Sequence, residues 1–153
     1  MKEKIVINPL KGLSDIKFGS TKNDVEKLFG KPEDTEVIEV EEDDLSDAIV
    51  WNYDELGFSA FFEKDFDELL TCFDISNDEA DLFGQKVFTL AKEKIIELMK
   101  NNGFSDFESD DEEWGEHRLS FNDAVMDFYF DENELVSISW GVMIDEDNAV
   151  QWP

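Results

Sequence analysis

Two matched runs of alternating apolar and polar residues constrain this chain most, because a period of two is the signature of strands with one buried face. Gly57-Phe-Ser-Ala-Phe-Phe-Glu-Lys64 aligns without a gap on Ala124-Val-Met-Asp-Phe-Tyr-Phe-Asp131. In the same alignment, Leu69-Leu-Thr-Cys-Phe-Asp-Ile75 lies over Val136-Ser-Ile-Ser-Trp-Gly-Val142. Each pair of runs is joined by an acidic turn, Lys64–Glu68 or Asp131–Glu134, the pattern of a β-hairpin. Further strands are expected at Ala48–Tyr53 and His117–Phe121.

The helical signals repeat as well. Ser20 to Phe29 opens with hydroxyl side chains able to cap a helix, sets Val25, Leu28 and Phe29 on one face, and stops at Gly30-Lys-Pro32. Later in the chain, Leu90 to Lys100 places Ile95, Leu98 and Met99 at the same helical positions and ends near Asn102-Gly103. The expected fold is α+β, with two tandem repeats (1–82 and 83–153) packed as one unit. Each repeat is a helical segment on an antiparallel meander sheet.

Alternation assigns faces in the second half. Met126, Phe128 and Phe130, with Val136, Ile138, Trp140, Val142 and Ile144, point one way and pack on the helix. The other face then shows Asp127, Tyr129 and Asp131 with Ser137, Ser139 and Gly141. The first half, in the same ungapped alignment, would show Ala60, Phe62 and Lys64 with Leu70, Cys72 and Asp74.

Charge follows the same division. Residues 1–40 have 8 acids and 7 lysines, 41–82 have 15 acids and one lysine, 83–100 have 2 acids and 4 lysines, and 101–153 have 15 acids and one arginine. The net charge is −27, gathered in the strand-rich blocks. Such a field attracts a basic protein and repels nucleic-acid phosphate and anionic lipid, so neither nucleic acid nor membrane is an expected partner. With 14 Phe and 4 Trp the acidity coats a globule rather than a disordered tail.

The single cysteine, Cys72, leaves no intrachain disulfide, and the start of the sequence lacks the apolar core of a signal peptide. A cytoplasmic location is therefore expected. No cofactor or metal is expected either. The acidic runs Glu39–Asp44, Glu108–Glu113 and Asp145–Asn148 lack the spacing and central glycine of an EF-hand loop, and runs of this kind are ordinarily solvated loops. Forty acids give no signal for a catalytic pair, and His117 has no companion for metal ligation or a nucleophile. Trp152-Pro153 is expected to fold back over a sheet edge.

The segment Lys17-Phe-Gly-Ser-Thr-Lys-Asn-Asp-Val-Glu-Lys-Leu-Phe-Gly-Lys-Pro32, followed by an acidic stretch and meandering strands, resembles the β-lactamase-inhibitor-protein-like superfamily. That group includes the small protein A type outer-membrane assembly lipoproteins. The motif Phe-Gly-x-Thr-x-x-x-Val-x-x-Leu-x-Gly-x-Pro is matched in the first copy, while the second has Val87-Phe-Thr-Leu-Ala91 in its place and no Gly-x-Pro ending. The resemblance implies a tandem arrangement of helical segment and antiparallel sheet. The lipidation cysteine and the cysteine pairs of secreted inhibitors are missing, so neither the lipoprotein role nor lactamase inhibition follows.

These features point to a non-catalytic protein-binding protein. Its most concrete form is a cytoplasmic inhibitor or immunity protein that neutralises a basic toxin enzyme such as a nuclease. Phe62 and Tyr129 are expected as aromatic anchors, with Asp74, Asp127 and Asp131 pairing to Lys or Arg of the partner. The alternatives are an assembly adaptor and a carrier of a small ligand between the repeats.

Overall fold

A computed structural model describes residues 5–38, 48–64, 67–111, 116–132, 134–144 and 150–151. Strands β1 (Val6–Asn8), β2 (Gly12–Leu13) and β3 (Ile16–Lys17) precede helix α1 (Lys22–Phe29), and β4 (Asp34–Ile38), β5 (Ala48–Tyr53), β6 (Phe58–Glu63) and β7 (Leu69–Ile75) follow it. Next come β8 (Asp81–Leu82), β9 (Gln85–Lys86), helix α2 (Lys92–Asn101), β10 (Phe107–Asp111), β11 (Glu116–Phe121), β12 (Met126–Asp131) and β13 (Glu134–Gly141). A ribbon of β14 (Met143–Ile144) and β15 (Val150–Gln151) completes the described elements. The architecture is thus mixed α+β, with two α-helices and two larger sheets.

The main sheet has eight strands in the order β10-β11-β12-β13-β7-β6-β5-β4, and every neighbouring pair is antiparallel. Each half of the chain supplies one four-stranded meander, and β13 joins β7 at the centre. Across that seam Trp140 faces Phe73, Ser139 faces Asp74 and Gly141 faces Cys72. The second sheet, β3-β2-β1-β8-β9, is antiparallel except for the pair β1–β8, and its edge strand β9 is the one member from beyond residue 82.

Local chemistry sets the helix ends. The Thr21 hydroxyl accepts the Asp24 N–H and the Asp24 carboxylate accepts the Thr21 N–H, a reciprocal cap that opens α1. Tyr53 donates its hydroxyl to the Gly30 carbonyl at 2.9 Å, closing the other end of the helix. Burial pushes that phenol up to about 12, with Glu26 and Glu33 adding to the effect. In α2 the buried residues are Ile95 and Met99, as the helical spacing predicts.

One core lies between the main sheet, the helices and the small sheet, and it contains Val25, Ile95, Met99, Ile7, Leu13 and Leu82 together with the inward residues of β5–β7 and β11–β13. Phe73 is its aromatic hub, with ring centroids 5.4 Å from Trp140, 5.7 Å from Phe18 and 5.8 Å from Phe58. Gly12 is obligatory where β2 pairs with β3 inside the small sheet. Its φ is +150°, and a Cβ there would lie 2.0 Å from the Ile16 carbonyl oxygen.

The expected hairpins β6–β7 and β12–β13 are present, but they do not correspond in the ungapped way the sequence suggests. A bulge falls between Phe61 and Phe62 in one and between Tyr129 and Phe130 in the other. Phe62 consequently faces Leu70 as Phe130 faces Leu135, and Phe61 faces Cys72 as Tyr129 faces Ser137. Phe62 is thus the counterpart of Phe130 rather than of Tyr129, and Leu70 is the counterpart of Leu135 rather than of Ser137. The two strands of the hairpin need different offsets because the turn after β12 is shorter than the turn after β6. Strands β1–β4 and β8–β10 lie outside the sequence expectation. Most are two or three residues long, and every residue of β4 is exposed, so neither a length nor an apolar face marks them in the sequence.

Candidate functional site

The face of the main sheet turned away from the core is built from the alternate residues that the core does not take. One row of directly opposed residues crosses all eight strands: Glu108, Ser120, Asp127, Ser139, Asp74, Ser59, Asn52 and Asp34. Every member is polar and four are carboxylates. A second row on the same face runs Asp110, Arg118, Tyr129, Ser137, and a third runs Gly141, Cys72, Phe61, Val50, Glu36.

Of the five residues expected to form a site, the structure gathers three near the middle of this face. Asp74 and Asp127 flank Ser139, and Tyr129 lies two residues along β12 from Asp127. Asp131 is also on β12 but exposed at its far end, opposite Glu116 and Glu134. Phe62 is displaced from the face altogether: it is fully buried, with its ring centroid 5.0 Å from that of Trp51. Alternation along β6 is unbroken and buries Phe58, Ala60 and Phe62 alike, while the extra residue of the bulge is Thr71 on β7, buried beside Leu70. Phe61 is the half-buried aromatic that stands on the open face instead. In the second half, Val136 is the extra residue of the bulge and is 38 % exposed, so Leu135 occupies the core position expected for it.

Asp74 is the electrostatic centre. It is half-buried, and no hydrogen bond reaches its carboxylate among the described residues. Burial alone pushes its carboxyl up from 3.8 to about 6. Asp127 is better provided for, since Ser120 donates its hydroxyl to it at 2.5 Å. Burial raises the Tyr129 phenol, and Asp127 beside it acts in the same direction. The sole arginine, Arg118, stands opposite Tyr129 but is held by Asp110, with 3.0 Å between Nη2 and Oδ2.

The two singular residues considered for nucleophilic chemistry lie on non-neighbouring strands, Cys72 on β7 and His117 on β11. Burial pushes the Cys72 thiol up to about 12, against a weaker opposite pull from Ser139, 3.7 Å away, so a thiolate is strongly disfavoured at neutral pH. Cys72, Ser139, Asp127, Glu63 and Gly141 line a shallow cleft of about 230 Å³ that opens on this face. Among the described residues no three His, Cys, Asp or Glu side chains are grouped to hold a metal ion, and no helix is long and apolar enough to cross a membrane. The run Glu108–Glu113, expected as a loop, lies in strand β10 as far as Asp111, while Glu39–Asp44, Asp145–Asn148 and Trp152-Pro153 fall outside the described residues.

The face is legible in the sequence only in part. Serine and aspartate alternating with large apolar residues mark β7 and β13, whereas Phe61 escapes notice because the ungapped alignment sets β6 one residue out of step with β12. No family model matches the chain, and no curated protein or solved structure matches it.

Proposed function

We propose that the protein is a non-catalytic inhibitor or immunity protein of the cytoplasm, which neutralises a basic toxin enzyme by docking it on the open face of the eight-stranded sheet. The observation that supports this most is the row of polar and acidic residues across all eight strands, with Tyr129 and Phe61 set among them. A nuclease binds a polyanion, and a rigid sheet bearing ordered carboxylates mimics one. Complementary charge speeds encounter and makes capture salt-sensitive, while the half-buried aromatics supply desolvated contact.

The same reading includes a tandem repeat of residues 1–82 and 83–153, of the kind the resemblance to β-lactamase-inhibitor-like proteins implies. Matching turn conformations favour it: Gly57 and Val125 both take positive φ between the first and second strands of their hairpin units, and Ser14 and Phe83 both do so in the small sheet. The partner-binding residues in this reading are Asp74, Asp127, Tyr129 and Asp131, with Phe61 in place of Phe62.

Capture on the tagged protein from native lysate, eluted with a salt gradient, tests the proposal. The expected result is one stoichiometric basic protein whose enzymatic activity is blocked in the complex. A diffuse set of basic proteins that all leave at low salt would overturn it.

A further inference from the structure

The centre of the open face has a shape as well as a charge. Around Asp74 the neighbours on the same face are small: Ser59 on β6, Ser139 on β13, and Cys72 and Ser76 two residues away along the chain. Larger side chains stand further out, Phe61 on one side and Tyr129 on the other. The seam between β13 and β7 is therefore a trough floored by hydroxyls with one carboxylate in it. At its end Gly141 lets the two backbones come close, since a Cβ there would come within 2.9 Å of the Thr71 carbonyl oxygen.

The polar groups in the trough are predominantly acceptors. The Ser59 hydroxyl donates its proton to Asn52 Oδ1 at 2.6 Å, leaving its lone pairs free to accept. Asp74 receives no hydrogen bond among the described residues, and Glu63 and Asp127 add negative charge nearby, as their effect on Cys72 shows. The nearest arginine cannot neutralise it, because Arg118 is engaged by Asp110. That pair is also a precedent on the same face: a guanidinium laid between two adjacent strands against the carboxylate directly opposite it.

We propose that the trough is the seat of a single arginine side chain of the protein partner, its guanidinium bound by Asp74 and the flanking Ser59 and Ser139 hydroxyls. The planar fork offers five N–H donors, which suits a carboxylate flanked by hydroxyls better than the three donors of an ammonium do. Adjacent strands lie about 4.8 Å apart, so the three acceptors stand in a line that one guanidinium approaches from above. This assignment rests on the reading of the face as a protein-docking surface and names the partner group at its centre.

The test needs no partner. The ¹⁵N-labelled protein is titrated with acetyl-Ser-Arg-Ser-amide and with the citrulline peptide of the same sequence, which keeps the shape and removes the charge. The expected result is that amide shifts from the arginine peptide concentrate on Ser59, Cys72 and Ser139, and that citrulline produces less than a tenth of them. Asp74→Asn should abolish the localised shifts, whereas Asp131→Asn should leave them in place. Shifts spread along the acidic edges of the sheet, or unchanged in Asp74→Asn, would overturn the seat. The fate of the inhibitor reading is separate: a captured and inhibited enzyme with no peptide response removes the seat alone, and a localised response with no captured enzyme removes the inhibitor alone.

Discussion

Trp140 donates its indole N–H to the carbonyl oxygen of Gly12 at 2.9 Å, a buried bond between residues 128 positions apart. It fastens the central strand of the main sheet to the small sheet, and the Trp140 ring stacks on Phe73 across the seam.

Trp140→Phe removes that donor, takes this bond from the Gly12 carbonyl and opens a cavity beside Phe73. The expected loss is about 2 to 3 kcal/mol of stability, read as a lowered midpoint in urea denaturation with an unchanged slope.

Gly12→Ala attacks the same junction from the other side. The added methyl would meet the Ile16 carbonyl oxygen at a φ of +150°, so the backbone must move. Thermal denaturation should show a loss larger than the roughly 1 kcal/mol of an ordinary glycine-to-alanine strain, and larger than that of Gly84→Ala, where space is open.

Phe61 and Phe62 are adjacent in sequence and opposite in role. Phe62→Ala should cost about 3 to 5 kcal/mol of stability, as expected for a fully buried ring. Phe61→Ala should cost distinctly less and weaken capture of the partner instead. Paired denaturation and binding measurements on the two variants separate these outcomes.

That pair also shows where sequence reading stops. Helix α1 is written into Thr21, Asp24 and Gly30, because capping is a local matter, and the hairpins are written into the alternation around Phe128 and Phe73. A bulge is different. It inserts one residue into a strand without altering composition, as with Val136 in β13, whereas Phe62 is misplaced by the unequal turns, which set β6 one residue out of step with β12 in an ungapped alignment. The joining of β13 to β7 is equally invisible, since it depends on contacts between residues far apart in the chain, such as Trp140 and Phe73. Asp74, Asp127 and Tyr129 stand on the face that the alternation of their own strands gives them.

Asp74 carries the clearest pH dependence. Its folded carboxyl is held at about 6 against 3.8 for the free group, so the native state binds the extra proton between these values. The sign is destabilising: as pH rises from about 4 to 6 the native protein loses up to about 3 kcal/mol relative to a chain with no such shift. Asp74→Asn should therefore be more stable than the parent at pH 7, with the difference shrinking toward pH 4 and vanishing below it. Melting temperatures of both proteins across that range check the prediction, and a constant difference would contradict it.

The Cys72 thiol should react slowly. With its ionisation pushed up to about 12, a disulfide reagent at pH 8 is expected to modify the folded protein far more slowly than the urea-unfolded chain. Equal rates would show that the seam is open to solvent.

The eight antiparallel strands form an unbroken sheet, and neighbouring strands in such sheets are rotated by roughly 20° to 25° with one handedness. Over seven junctions the two outer strands end nearly reversed in direction about the sheet's long axis, at a separation of roughly 34 Å. The row from Glu108 to Asp34 is therefore a screw of charge, not a plane. A flat basic surface could touch only a few of its members at once, while a ridge or loop that follows the same winding could meet them in succession. Handedness, as much as charge, would then decide which basic proteins this face accepts.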